Sequence, residues 1–337
     1  MQNKAIKILQ SATTLTALRW VVGWTYFSAL WRRLVLDFKL DPEAANYVGV
    51  KFNHFLPNAL GIGDLIEYLV SNPDLLWVNM VAFTVIEGIV GLFLIFGFAT
   101  RLASIGTVFL AIGILLGSGW LGTTCLDEWQ IGILGIASGI VLFFSGSGKW
   151  SMDNYLLQKE HKLSRKKFFP WLFSGTLPWS ERKQQKTVLF ASIFAVFTAL
   201  GTNQYFHAGV WGDLHNLSKK PKLELSEVQY KEDVLSLNVM RVEGIDVYGS
   251  FVTEIAVLKE EGLVVQRLTS EDFNNEESFK IVNHYVAKTK VNQQSLMLPL
   301  GALATLEMKL PALEKGTYIL RFKDISDASW SINFTVD

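Results

Sequence analysis

The sequence predicts a membrane α-helical bundle, four helices plus a fifth membrane-spanning one, followed by a C-terminal all-β sandwich of immunoglobulin-like architecture. Two observations carry this reading: five long apolar runs crowd the first 206 residues, and the hydrophobic pattern then changes to an alternation of period two. The 337 residues are 50% apolar and 18% charged, with 31 basic and 31 acidic side chains, which argues against a disordered chain or a nucleic-acid-binding one.

The five runs are residues 13–31, 78–98, 102–118, 129–145 and 187–206. At a rise of ~1.5 Å per residue, the second covers ~31 Å, enough to cross a hydrocarbon layer of ~30 Å. The third and fourth are shorter and need local thinning or help from their flanks. Lys4 and Lys7 precede the first run as they would in a signal peptide, but no small-x-small cleavage site follows and Trp31-Arg32-Arg33 closes it. It reads as a retained helix.

Charge orients the spans. The segment 149–186 carries nine Lys and Arg against Asp153, Glu160 and Glu181, which marks it as cytoplasmic. Five spans then place the N-terminus inside, and residues 32–77, residues 119–128 and the C-terminal domain outside. The expected organisation is a four-helix membrane domain over 1–156, a basic cytoplasmic linker over 157–186, and a region 187–337 in which a transmembrane helix leads to a sandwich from about residue 220. The chain is thus expected in a prokaryotic plasma membrane, with its β-domain extracytoplasmic.

The strand pattern is clearest near the end, where Trp330, Ile332, Phe334 and Val336 alternate with Ser331, Asn333, Thr335 and Asp337. Tyr318, Leu320 and Phe322 form a second such run. Further strands are expected at 223–230, 234–242, 250–259, 262–268, 281–290 and 303–310, seven to nine in all. The glycines Gly132, Gly135 and Gly139, and Gly106, Gly113 and Gly117, read as helix-packing positions.

The run from Glu87-Gly88 through Gly97-Phe98-Ala99-Thr100-Arg101 resembles the second-helix signature of the DoxX superfamily. Arg19 with Gly23, and Gly146-Ser147-Gly148-Lys149-Trp150-Ser151-Met152-Asp153, resemble its other landmarks. Within the superfamily, the insert Gly117–Gln130, containing Gly122-Thr123-Thr124-Cys125-Leu126-Asp127-Glu128-Trp129, is similar to DoxD, the membrane subunit of thiosulfate:quinone oxidoreductase. Trp211-Gly212-Asp213-Leu214-His215-Asn216-Leu217-Ser218-Lys219-Lys220-Pro221 and the β-domain after it are similar to the partner subunit DoxA.

The resemblance implies that two thiosulfate anions are coupled to tetrathionate while a membrane quinone takes up two electrons and two protons. A dianion is excluded from hydrocarbon and a quinone is not, so the site belongs where a polar outer chamber meets the bilayer. No haem, iron–sulfur or dinucleotide motif is present, and no bound metal, haem or flavin is expected. The expected partners are the lipid bilayer, quinone and thiosulfate, with a homo-oligomer or an envelope protein as further candidates and nucleic acid excluded. The alternative is a non-enzymatic membrane subunit whose β-domain binds an envelope partner.

Candidate catalytic residues are Glu87, an acid within a span, and Cys125, Asp127 and Glu128 of the outer loop. Acidic neighbours would raise the Cys125 thiol pKa, which weighs against a reactive thiolate. Candidate ligands of the dianion are Arg32 and Arg33, which break the positive-inside pattern, with Trp120, Thr124, His54, His207 and His215. Trp24 and Phe27, on an aromatic stripe of the first span, are candidates for the quinone ring, with lipid contact or helix packing as the competing reading. Arg19 and Arg101, near the cytoplasmic face, read as helix anchors or members of an ion pair rather than ligands of thiosulfate.

Overall fold

A computed structural model describes residues 9–122, 127–246 and 249–336. The described residues divide into two compact units, one drawn from 1–47, 77–119 and 126–215 and the other from 48–76, 120–125 and 216–337.

The first unit is the membrane domain. Its long helices are α1 (Thr16–Trp31), α4 (Pro73–Phe96), α5 (Thr100–Ser118), α6 (Asp127–Ser145) and α9 (Glu181–His207), with α2 (Val48–Asn53) and α3 (Gly63–Val70) lying between α1 and α4 in sequence. Among the described residues four helices, α4, α5, α6 and α9, are long and apolar enough to cross a membrane. At 16 residues α1 reaches only ~24 Å. A π-helical turn, Arg32–Leu36, extends it beyond the last apolar position of the span.

Apolar side chains do not drive helices together inside lipid, so close backbone approach must hold the bundle. A Cβ on Gly91 of α4 would lie 2.4 Å from the Phe27 nitrogen of α1, and one on Gly23 would lie 2.9 Å from the Gly91 carbonyl oxygen. On α6, Gly132 and Gly139 admit Leu115 and the Ser104 carbonyl in the same way, in agreement with their reading as packing positions. Gly113 has nothing within 4 Å of such a Cβ and is no packing position in this chain.

The basic segment after α6 is more than a connector. It forms α7 (Met152–Gln158) and α8 (Phe169–Leu172), and Phe169 and Phe173, stacked at 4.7 Å, bury themselves with Ala99 against Phe93 and Phe98. Its apolar residues, spaced between the lysines, seal the end of the bundle.

The second unit is built on two antiparallel sheets. Strands β1 (Lys222–Lys231), β2 (Val234–Glu243), β3 (Ser250–Lys259), β4 (Val264–Leu268), β5 (Phe279–Asn283), β6 (Lys290–Asn292), β7 (Ser295–Leu298), β8 (Leu303–Lys309), β9 (Gly316–Asp324) and β10 (Ser329–Val336) assemble in the orders β1-β2-β8-β5 and β10-β9-β3-β7-β6, with β4 also paired to β3. A four-residue helix, α10 (Ser270–Phe273), links β4 to β5. The inward residues of alternating strands, among them Leu235, Leu237, Val257, Leu306, Leu320 and Phe322, form one core between the sheets.

The strand expected at 281–290 is two. Asn283 donates to the Thr289 carbonyl and accepts from the Thr289 amide, closing a loop between β5 and β6, and a turn at Gln293-Gln294 then adds β7. The segment 48–76 folds onto this same unit: the buried Asn53 donates to the Gly301 carbonyl at 2.8 Å and accepts from the Ala287 amide at 3.1 Å.

Candidate functional site

Glu87 lies on α4 only 4% exposed, in a stretch whose neighbours are apolar. An isolated carboxylate there would lose several kcal/mol of hydration, so it demands a partner. Arg33 supplies it. One guanidinium nitrogen, Nη1, donates to Glu87 Oε2 at 2.5 Å and to Thr84 Oγ1 at 3.2 Å. Thr84 is one turn before Glu87 on the same helix face and fully buried.

Helical spacing aims Arg33 inward. It follows the buried Tyr26 by seven residues and Leu30, whose side chain meets Gly88 of α4, by three. Arg32 stays exposed and donates to the Ser28 carbonyl at 3.3 Å. Among the described residues, Arg33 Nε and Nη2 have no hydrogen-bond partner, and its side chain is 23% exposed. The pair therefore presents a cation with unused donors at the surface and an acid sealed behind it. Tyr26, packed below, is within Coulombic range of Glu87, and its hydroxyl donates to the Thr107 carbonyl at 3.3 Å.

The aromatic stripe runs up the outside of α1. Trp24 and Phe27 meet as tilted rings 5.9 Å apart, and Phe27 and Trp31 likewise at 6.1 Å, ending beside the π-turn. Trp24 is 56% exposed.

The other candidates separate. His207, fully buried at the end of α9, bonds through Nε2 to the Gly119 carbonyl at 3.0 Å, and its buried Nδ1 has no partner among the described residues. A carbonyl only accepts, so Nε2 carries the hydrogen and Nδ1 is an acceptor. His215 is exposed, and its backbone amide bonds the His207 carbonyl. Asp127 is exposed at the start of α6, beside the half-buried Glu128. Thr124 and Cys125 lie outside the described residues.

His54 and Trp120 belong to the second unit. Trp120 is wholly buried with Nε1 donating to the Phe55 carbonyl at 3.2 Å, so it has no face for a substrate and packs instead. Burial pushes the His54 imidazole down to about 4, with Asp246 opposing and Arg241 and Lys51 adding to the shift. Among the described residues no group of three His, Cys, Asp or Glu side chains could hold a metal ion.

Two family models match the chain. The one described as TQO small subunit DoxD covers residues 14–180, and the one described as TQO small subunit DoxA covers residues 206–333. The chain is a DoxD–DoxA fusion. Its function therefore lies with that of thiosulfate:quinone oxidoreductase, of which both families are small subunits, in a multi-pass membrane protein.

In the DoxD region the three sequence landmarks meet in one buried knot, away from Glu87. Asp153, fully buried, accepts from the Ala99 and Thr100 amides at 2.9 and 3.1 Å and from Ser174 Oγ at 2.8 Å, capping α5. Arg19 donates to the carbonyls of Leu94, Ile95 and Trp150, and Arg101 to those of Phe143, Pro170 and Gly175. Each guanidinium satisfies carbonyls left open at a helix end. These residues hold helices, as the sequence reading of Arg19 and Arg101 expects. Thr84 and Tyr26 escaped that reading, although the i, i+3 spacing of Thr84 and Glu87 was available to show the first.

Proposed function

We propose that this DoxD–DoxA fusion oxidises thiosulfate to tetrathionate and reduces a membrane quinone at the Arg33–Glu87 pair. The observation that carries the reading is a buried acid held by an arginine whose other donors have no partner among the described residues, in a chain matched by two subunit families of that enzyme. Arg33 Nε and Nη2 suit two oxygens of a thiosulfate dianion in a forked arrangement, and exposed Arg32 adds positive potential at the entrance. Trp24, Phe27 and Trp31 offer a lipid-facing aromatic surface along which a quinone ring reaches the same level.

The balance is simple. Two thiosulfates join through their terminal sulfurs, one S–S bond forms, and two electrons leave; the quinone accepts them with two protons. Glu87 is the acid placed to pass those protons, since its charge is already compensated by Arg33 and a protonated carboxyl costs little in an apolar setting. The positive-inside pattern puts Arg33 on the outer face and the Asp153 knot on the cytoplasmic face.

The test is anaerobic quinone reduction by the purified, detergent-solubilised protein with thiosulfate as sole reductant and tetrathionate assayed in parallel. Reduction with matching tetrathionate is expected, and Glu87→Gln is expected to lower turnover about 100-fold or more with the fold intact. No reduction across several quinones would overturn the reading in favour of a partner-binding subunit.

A further inference from the structure

Glu87 is sealed from water on the side of the bundle core, yet the groups behind it are polar. From the Asp153 knot, Thr100, Ser104 and Thr107 follow one face of α5 at i, i+4 and i+7, each 0% exposed. Tyr26 meets the last of them through the Thr107 carbonyl, and Glu87 lies within Coulombic range of Tyr26. The walls of this column are the apolar core residues Val90, Leu94, Ala103, Leu110 and Leu142.

Such hydroxyls are easily read as helix-packing groups, and Ser104 and Thr107 do bond the carbonyls of Thr100 and Ala103 in the preceding turn. Three observations exceed that role. The Thr100 hydroxyl is close to the Asp153 carboxylate but makes no well-formed hydrogen bond to any group. The facing helix carries Gly135 beside the Tyr26 end of the column: a Cβ there would lie 2.7 Å from the Ala111 Cβ and 2.9 Å from the Tyr26 hydroxyl. Finally, Ser174, which donates to Asp153, also lines a cavity of about 280 Å³ at the basic end of the bundle, together with Ser147 and Asn154.

Spacing suits proton transfer. Successive hydroxyl-bearing positions on α5 are ~6 and ~4.5 Å apart along the axis, the span of one bridging water. A hydroxyl donates and accepts at once, so each can hand on a proton by reorienting. Arg19 and Arg101 flank Asp153, and the Nη groups of both donate to backbone carbonyls, Arg19 Nε having no partner among the described residues.

We infer that the buried column Ser174–Asp153–Thr100–Ser104–Thr107–Tyr26 carries protons from the basic face of the membrane domain to Glu87, so that quinone reduced on the outer side takes its protons from the opposite side. The inference rests on the proposed reaction and adds a direction to it. Electrons enter from thiosulfate outside, two for each tetrathionate, and two protons enter from inside to complete the hydroquinone. Two charges are thereby separated across the membrane per turnover.

The experiment uses the full-length protein in sealed vesicles, with thiosulfate added outside and an impermeant pH dye inside. Because the dianion does not cross the bilayer, only molecules with the outer face outward turn over. The lumen is expected to lose two protons per tetrathionate and to become electrically negative. Thr107→Val, which keeps the shape and removes the hydroxyl, is expected to slow proton uptake and turnover about tenfold at unchanged KM for thiosulfate. Tetrathionate formation with protons drawn from the outer bath, or an unaltered rate in Thr107→Val, would overturn the column and leave the Arg33–Glu87 reading standing.

Absence of tetrathionate even in detergent would overturn that reading instead, and the column is then tested without turnover. The carboxyl infrared band of Glu87, assigned by its loss in Glu87→Gln, is expected to follow luminal deuterium exchange in the wild type and to lag in Thr107→Val. A band that follows only the external bath would refute the inference.

Discussion

The Arg33–Glu87 pair is a case in which removing one partner does more harm than never having had either. Arg33→Met strands a carboxylate that is 5% exposed, and breaking a buried pair on one side costs about 3–5 kcal/mol. Adding Glu87→Gln to that variant removes the uncompensated charge, so the double variant should recover much of the loss. Thermal unfolding in detergent across the four members of the cycle checks this; additive losses would mean that the pair does not interact in the folded state. His54 in the second unit makes a different prediction. Its imidazole titrates near 4 in the fold against an ordinary 6.5 in the unfolded chain, so between those values only the unfolded chain binds the proton. Stability should fall as pH drops from about 6.5 towards 4 and lose no more on this account below, by about 3 kcal/mol in all. In His54→Gln the slope over that window should shrink, as read by denaturant unfolding at closely spaced pH values; equal slopes would count against burial of the neutral ring.

At the scale of elements, glycine placement separates backbone contact from coincidence. Gly91→Ala drives a Cβ into the Phe27 backbone, which cannot swing away as a side chain would, and should cost about 1–3 kcal/mol. Gly113→Ala meets nothing and trades a flexible residue for the best helix former, a gain of up to about 1 kcal/mol. Opposite shifts in melting temperature are expected, and a shared sign would remove the distinction. The same contrast marks what could be read before the structure. Apolar run length located α4, α5, α6 and α9 because hydrocarbon thickness imposes it, and alternation located β9 and β10 because the sheets bury one face. The pairing of Arg33 with Glu87 was hidden because it joins two helices across 54 residues of chain, and one sequence does not fix the level at which two spans meet. Equally hidden was the break near residue 285, where Asn283 and Thr289 close a loop that the period-two pattern runs straight through. The family landmarks were legible as a motif, but their convergence on Asp153 depends on contacts 54 residues apart along the chain.

For the whole molecule the strongest argument is charge. The residues placed at the cytoplasmic face hold 13 basic and 3 acidic side chains, whereas those placed outside hold 18 and 27. Short basic segments resist transfer across the bilayer, and the segment 149–186 is both short and basic. Among the described residues α9 is the one candidate span between this segment and the β-domain, so the two are expected on opposite sides. A single cysteine introduced at Lys166, in a chain carrying Cys125→Ser, should therefore resist an impermeant maleimide applied to intact cells and react after lysis. A cysteine introduced at the exposed Lys315 of the β-domain should react in intact cells, once any outer envelope has been opened. Labelling of both positions from the same side would mean that α9 does not cross the membrane. Labelling of the Lys166 position in intact cells would put the Asp153 end of the proton column on the outer face, wrong for charge separation, which makes this labelling pattern the first requirement of the directional reaction.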